Sequence, residues 1–410
     1  MTDIIDHAPP KLVIVDSGLT DDKGHHFPYL ASILPELRRR RVEVSIYANR
    51  RVSRDVTATI GAIPHFEEVR LEPGGGRKSR SRLRNHLRAV RRMIHATRGF
   101  YLDLARLGPV LRRPGTVVFD PNCDAANLLG HLLRRWHDGR TPDISHVLLV
   151  RRPLKVLGWL SAICKLRAAL GLSKTALGLR FATDSKRIRD AFPLLDMRVL
   201  PIPHTLRKID AGQCRELEAR LEPLRGCRFL YLGRCRAEQG IATLERALGD
   251  LRQELAGESM CAVVQAAAYE DDRDALAACS RLRDLKLPHV VLLERLLADA
   301  EYAYLLRWTD AVLVPYAADA YRFRTSGIVA EALAAGRPVI TSAGTWMGDQ
   351  LMANTGLVFE SGDPDSLASV MRRAAKEKAS LLRGATDEAR SFAAFHNPAC
   401  FVEMLLSEAR

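Results

Sequence analysis

The chain has 410 residues, 62 of them Lys or Arg against 48 Asp or Glu, for a net charge of +14 with an ordinary apolar content of 47%. That length suits two domains of about 200 residues, each able to bury a core, and excludes a disulfide-stapled miniprotein or a low-complexity chain. The eight cysteines, at 123, 164, 214, 227, 235, 261, 279 and 400, form no Cys-x-x-Cys pair and have no histidine at zinc spacing. Reduced thiols in a cytoplasmic protein are expected, with no metal centre. Residues 1–11 carry acids and prolines but no apolar run, so no secretory signal is expected. The most apolar mid-chain stretch, 156–164, is far shorter than the roughly 20 residues of a bilayer-spanning helix.

The first predicted elements are a buried-type strand over 11–16, a polar loop over 17–26, a helix over 29–40 and a strand over 42–47. This is a βαβ unit, but the turn lacks Gly-x-Gly-x-x-Gly, so an NAD-binding reading loses its main support. The loop contains Gly24, His25 and His26. Gly24 allows close backbone approach, and a histidine there either hydrogen-bonds a ligand or is a surface residue.

Between Arg77 and Arg98 there are nine Arg or Lys and no acid, while Leu83, Leu87, Val90 and Ile94 recur on one helical face. This basic amphipathic helix fits two environments: an anionic membrane surface that takes its apolar stripe, or a protein core with the arginines solvated. Arg151, Arg152 and Arg167 extend the basic character. The helix has no interleaved aromatics and no nucleic-acid module accompanies it, which argues against specific nucleic-acid binding.

The strand 116–120 runs into a polar loop with Asn122 and Asp124, at the carboxyl end where open α/β sheets bind ligands. His131, on the following helix, is expected to be packed or on the surface. Pro201 and Pro203 mark the domain boundary. Beyond it, the strand ending at Leu232 meets a glycine-rich turn, Gly233-Arg234-Cys235-Arg236-Ala237-Glu238-Gln239-Gly240, and then a helix with Ile241, Leu244 and Leu248 inward. Strands over 262–265 and 290–293 follow, then a helix over 302–310.

The strand 311–314 ends at Pro315, and Thr325-Ser326-Gly327 opens a helix near Ser326. The first N–H groups of a helix lack intrahelical partners and carry its positive dipole end, so they can receive a diphosphate. Glu331 lies about 7–8 Å further along the axis, the step from phosphate to ribose. Gly336-Arg337-Pro338 leads into the next strand. Asp363-Pro364-Asp365 is formally an Asp-x-Asp triplet, but beside a proline at a helix start it reads as a cap rather than a metal site.

The segments 229–240 and 311–341 together resemble the donor-site signature of the GT-B glycosyltransferases, specifically the retaining nucleotide-sugar transferases of glycosyltransferase family 4. The resemblance implies an α/β GT-B fold, two Rossmann-like doubly wound domains facing each other across a cleft. The expected acceptor-side domain is 1–205, the donor-binding domain 206–392, with 393–410 packing back on the first. It implies that Arg234 faces the donor diphosphate, that Gly233, Thr325, Ser326 and Gly327 line it, and that Glu331 holds the ribose. Gln239 stands where the family usually has a lysine, and Phe323 where it has a glutamate facing the sugar. Arg324 is the candidate substitute, against the alternative of a solvated loop charge.

In such enzymes the loop 18–26 covers the donor phosphates and acceptor, a role for Gly24, His25 or His26, and Asn122 takes the place of a sugar-contacting histidine. The implied reaction is metal-independent, without a separate cofactor, with the nucleotide-diphosphate sugar as donor substrate and retention at the sugar carbon. The expected partners are that donor and a cell-envelope glycan or lipid-linked acceptor, with cytoplasmic, peripheral localisation on the inner face of the membrane. Two further readings stay open: a GT-B-shaped scaffold without catalysis, favoured by Phe323 and Gln239, and a nucleotide-sugar epimerase.

Overall fold

The computed structural model describes residues 11–22, 26–67, 82–113, 115–138, 144–169, 179–203 and 210–407. Gly24, His25 and residues 77–81 lie outside them, as do the side chains of Arg82, Leu83 and Arg167. The chain divides into two compact units, one of residues 1–203 with 398–410 and one of 204–397.

In the first unit, strands β1 (Lys11–Asp16), β2 (Glu43–Asn49), β3 (Ala62–Phe66), β4 (Thr116–Asp120), β5 (Ser145–Leu149), β6 (Leu179–Thr183) and β7 (Met197–Val199) form a sheet ordered β3-β2-β1-β4-β5-β6-β7. Its strand pairs are parallel, with Ile14 opposite Ile46 on one side and Phe119 on the other. β1 is buried along its whole length, as a central strand covered on both faces must be. One face packs Leu12, Ile14, Val117 and Phe119 under the helices His26–Arg39 and Arg54–Ile60. The closing helix Pro398–Ser407 joins that same core through Phe401, Val402 and Leu405. The other face packs Val13, Val15 and Val118 under Phe100, Leu104 and Leu107.

The helix after β1 begins at His26 rather than beyond it, so His26 is a helical residue and not the end of a loop. Pro28 accounts for the early start, because a proline fits the first turn, where its missing N–H breaks no intrahelical bond.

The second unit holds β8 (Cys227–Tyr231), β9 (Met260–Val264), β10 (Val290–Leu292), β11 (Ala311–Val314), β12 (Val339–Ser342) and β13 (Gly356–Phe359), ordered β10-β9-β8-β11-β12-β13 and again parallel. Both sheets reverse strand direction of addition once, between β1 and β4 and between β8 and β11. These are the topological switch points at which doubly wound sheets bind ligands. Below the second one, Asp310 anchors β8 to β11: its carboxylate accepts from the Arg228 N–H at 2.9 Å and guanidinium and pairs with Lys378 at 2.7 Å. Asp363 caps the helix Pro364–Lys376, accepting from the Asp365 and Ser366 N–H groups.

Candidate functional site

At the carboxyl end of β8 the chain turns at Gly233, whose φ of 101° lies in the left-handed region that favours glycine. A Cβ there would press on Ile328 at 3.0 Å. The buried Gln265, directly after β9, fixes this turn: its carbonyl accepts from Gly233 N–H at 2.8 Å and its amide donates to Arg295 O at 3.0 Å. Gln265 escaped the sequence reading, although a glutamine closing an apolar strand was the available signal.

The loop then carries Arg234 and Arg236, both with guanidinium carbons about 4 Å from the Tyr269 ring centroid, at 4.1 and 3.8 Å. Stacking on an aromatic ring holds a planar guanidinium in place while leaving its in-plane N–H groups available to phosphate oxygens. Gln239 turns inward: its carbonyl accepts from Arg236 N–H at 2.9 Å and its amide lies 3.5 Å from the Tyr316 hydroxyl. Gln239 therefore builds the loop. Burial pushes the Tyr316 phenol pKa upward, so that hydroxyl stays neutral.

Gly240 closes the turn at φ 75°, and a Cβ there would lie 1.8 Å from Pro315 O. Ala317 N–H also donates to Glu238 O at 2.9 Å. The glycine-rich turn after β8 and the loop after β11 are thereby clasped together at the switch point. A third tie runs from the Arg324 guanidinium to the Glu238 carboxylate at 2.7 Å, with Arg324 lying 4.2 Å from the Tyr321 ring centroid.

The helix Gly327–Ala334 starts in this clasp, capped by Ser326, whose hydroxyl accepts from Val329 N–H. Nothing crowds Gly327 within 4 Å of where a Cβ would be. Glu331 lies one turn along and accepts a hydrogen bond from the Tyr302 hydroxyl on the helix Asp299–Trp308. The structure thus brings Gly233, Arg234, Gln239, Arg324 and Ser326 around one strand switch, with Glu331 a turn beyond.

The first unit has its own polar cluster at the β1/β4 switch. His26 Nδ1 lies 2.9 Å from both Asp16 carboxylate oxygens, and its Nε2 is 3.4 Å from the Asn122 amide. The ring lies so close to the loop that a Cβ at Gly18 would meet His26 Cε1 at 2.6 Å. Asn122 N–H donates to Asp120, whose other carboxylate oxygen takes Asn127 at 3.0 Å and faces His131 Nε2 at 3.3 Å. His131 is fully buried, with Nδ1 3.0 Å from His146 Nδ1, which makes it a packed residue. Burial, reinforced by His131, holds the His146 pKa well below the ordinary histidine value. Asp124 is the cap of the helix Ala125–Asp138, accepting from Ala126 and Asn127 N–H. Asp16 and Asp120 were not singled out from sequence; an aspartate closing an apolar strand was the signal in both.

Residues 226–377 match the family model of the glycosyl transferases group 1. No curated protein sequence matches the chain. Among solved structures it is similar to the N-terminal domain of trehalose-6-phosphate phosphatase from Candida albicans, with a TM-score of 0.68 and 14% identity over 98% of both chains. It is similar to an E. coli trehalose-6-phosphate protein bound with UDP-2-fluoro glucose, at TM-score 0.65 and 13% identity, covering 97% of this chain and 99% of that one. HepE from Anabaena, solved in complex with UDP and glucose, gives 0.62 and 13%, covering 97% and 98%. The chain has the two-domain α/β fold of the GT-B glycosyltransferases, and its second unit carries a glycosyl transferases group 1 domain.

Proposed function

We propose that the protein is a retaining, metal-independent glycosyltransferase that moves a hexose-like sugar from a nucleotide-diphosphate donor to a cell-envelope glycan or lipid-linked acceptor. It would work in the cytoplasm, peripherally on the inner face of the membrane. The observation that carries the reading is the clasp of the two loops at the β8/β11 switch, with Arg234 stacked beside it and the Ser326-capped helix start opening into it. Similar structures hold UDP with glucose or a UDP-sugar, by their own descriptions.

In this reading Arg234 and the backbone N–H groups at Ser326 and Gly327 receive the diphosphate, with Thr325 beside them. They speed transfer because negative charge grows on the departing phosphate oxygen in the transition state. Glu331 holds the ribose hydroxyls, oriented by Tyr302. On the acceptor side, the Asp16-held His26 and Asn122 supply polar groups at the other switch point.

A thermal-shift and calorimetric panel of UDP, GDP, ADP, dTDP and their sugars, run on the wild type and Arg234→Ala, tests it. Selective binding by one nucleotide, lost in the variant, is expected; equal binding by both would remove Arg234 from the site. A second reading, a GT-B-shaped scaffold without catalysis, draws support from the inward amide of Gln239 and the pairing of Arg324 with Glu238. Silence across the panel favours it.

A further inference from the structure

The helix Arg82–Arg106 is about 37 Å long at 1.5 Å per residue, whereas the five-residue strand β4 that it precedes spans about 17 Å. Its position along the sheet is fixed by three contacts. Phe100 stacks on Phe66, the last residue of β3, at 5.3 Å between centroids. Asp103 accepts from Glu67 N–H at 2.9 Å. Gly130 packs on Phe100, where a Cβ would meet its ring at 2.6 Å.

Residue 100 is therefore level with the carboxyl edge of the sheet, and the residues before it extend beyond that edge. The burial pattern agrees: Ala96, Thr97, Phe100 and Leu104 are buried, while no described side chain from 84 to 95 is.

Within this overhang the large exposed apolar residues are Leu87, Val90 and Ile94, exposed to 52%, 41% and 62%. At 100° per residue their stripe is centred about 90° around the helix from the face that carries Phe100 and Leu104. It adjoins the core face and carries the apolar side of the helix round to solvent. Arg84, Arg91 and Arg98 are exposed along its outer side, with Arg88 and Arg92 exposed further round, and no acidic residue occurs from 77 to 98. The helix Lys155–Ala169 opens after β5 at the same carboxyl edge, and right-handed crossovers put it on the same sheet face. It shows Trp159 and Ile163, one turn apart, 77% and 47% exposed.

We infer that the overhanging half of the helix Arg82–Arg106, with Trp159 and Ile163, docks the first unit on an anionic lipid surface. Charge complementarity selects the occupant. An exposed apolar stripe with arginines along its outer side and no acid near it in sequence matches an interface of acyl chains beneath negative headgroups, and an indole at the same sheet edge prefers the same boundary. A short helix standing away from its core is marginal in water, and the interface would stabilise it. Because the overhang and the Asp16–His26–Asn122 cluster share one sheet edge, docking brings that cluster to lipid-borne groups; for this purpose, though not for its geometry, the inference rests on the membrane-acceptor reading above.

Flotation of the whole protein with vesicles tests it, comparing phosphatidylcholine alone with vesicles holding about 30% phosphatidylglycerol, in about 0.1 M NaCl. Flotation is expected only with the anionic vesicles. Leu87→Gln/Val90→Gln/Ile94→Gln is expected to lower partition at least about tenfold, and Arg84→Gln/Arg91→Gln/Arg98→Gln about a hundredfold. Circular dichroism should show both variants folded, since every changed side chain is exposed.

No flotation of the wild type, or flotation equally strong in both folded variants, would overturn the inference. Tighter binding to a single-stranded RNA than to vesicles, unchanged by the apolar triple, would overturn it in favour of nucleic acid. The nucleotide panel run alongside separates the two readings. Vesicle binding without any nucleotide response leaves the docking face standing and removes glycosyl transfer, and the reverse result does the opposite.

Discussion

Arg324 and Glu238 meet at 2.7 Å across the β8/β11 switch, one from each of the loops that form the candidate donor site. Both side chains are about one-third exposed, so the pair adds little stability, under about 1 kcal/mol. Its consequence is positional: the guanidinium closest to a missing lysine's role is held by a carboxylate. Glu238→Gln should release it and tighten nucleotide binding a few-fold, whereas Arg324→Ala should weaken it about tenfold. Isothermal calorimetry with the nucleotide selected by the panel checks both; no change in either would make Arg324 a structural clasp only.

Gly240 tolerates no side chain. Its φ is 75° and Pro315 O stands 1.8 Å from a would-be Cβ, so Gly240→Ala must push the two loops apart. A loss of at least about 3 kcal/mol is expected in urea unfolding of the protein. An unaltered midpoint would show that the loops are not clasped there.

Gln265→Leu keeps the volume but leaves Gly233 N–H and Arg295 O without their partner. Both groups are only partly buried, so water offsets some of the loss and a drop of about 1–2 kcal/mol is expected, with nucleotide affinity falling as the turn loosens. Thermal unfolding with and without nucleotide reads both.

Glu331→Ala should chiefly raise the donor dissociation constant, while Tyr302→Phe, which removes the hydroxyl donating to Glu331, should raise it less, about three- to fivefold. If transfer rates and affinities in both variants matched the wild type, Glu331 would not be the ribose ligand.

The buried His146 gives the first unit an acid limb. Its folded pKa lies well below the unfolded value near 6.5, chiefly through burial. Above pH 6.5 neither state is protonated and the stability is fully present. As pH falls below 6.5 the unfolded chain takes up a proton that the folded chain refuses, so stability declines by up to about 1.4 kcal/mol per pH unit. Denaturant midpoints between pH 8 and pH 5 should show this slope, and His146→Gln should flatten it.

What could be read in advance follows how local each feature is. The turn from Gly233 to Gly240 and the helix start from Thr325 to Glu331 are contiguous segments in which glycine placement, a capping serine and apolar spacing all declare themselves. Asp16, His26 and Asn122 come together only because β1 lies next to β4, a pairing that strand composition does not reveal. The basic helix shows the intermediate case. Its apolar period was plain, but whether Leu87, Val90 and Ile94 meet a core depends on where Phe100 docks against Phe66.

The closing helix sets an order on the birth of the molecule. Phe401, Val402 and Leu405 cover Leu30 and Ile33, yet they are translated only after every residue of the second unit. On the ribosome the first unit must therefore wait, with an apolar patch uncovered, while its neighbour is completed. The half of the chain that begins synthesis is the half that finishes folding last, and a nascent-chain chaperone would find its binding surface on that patch.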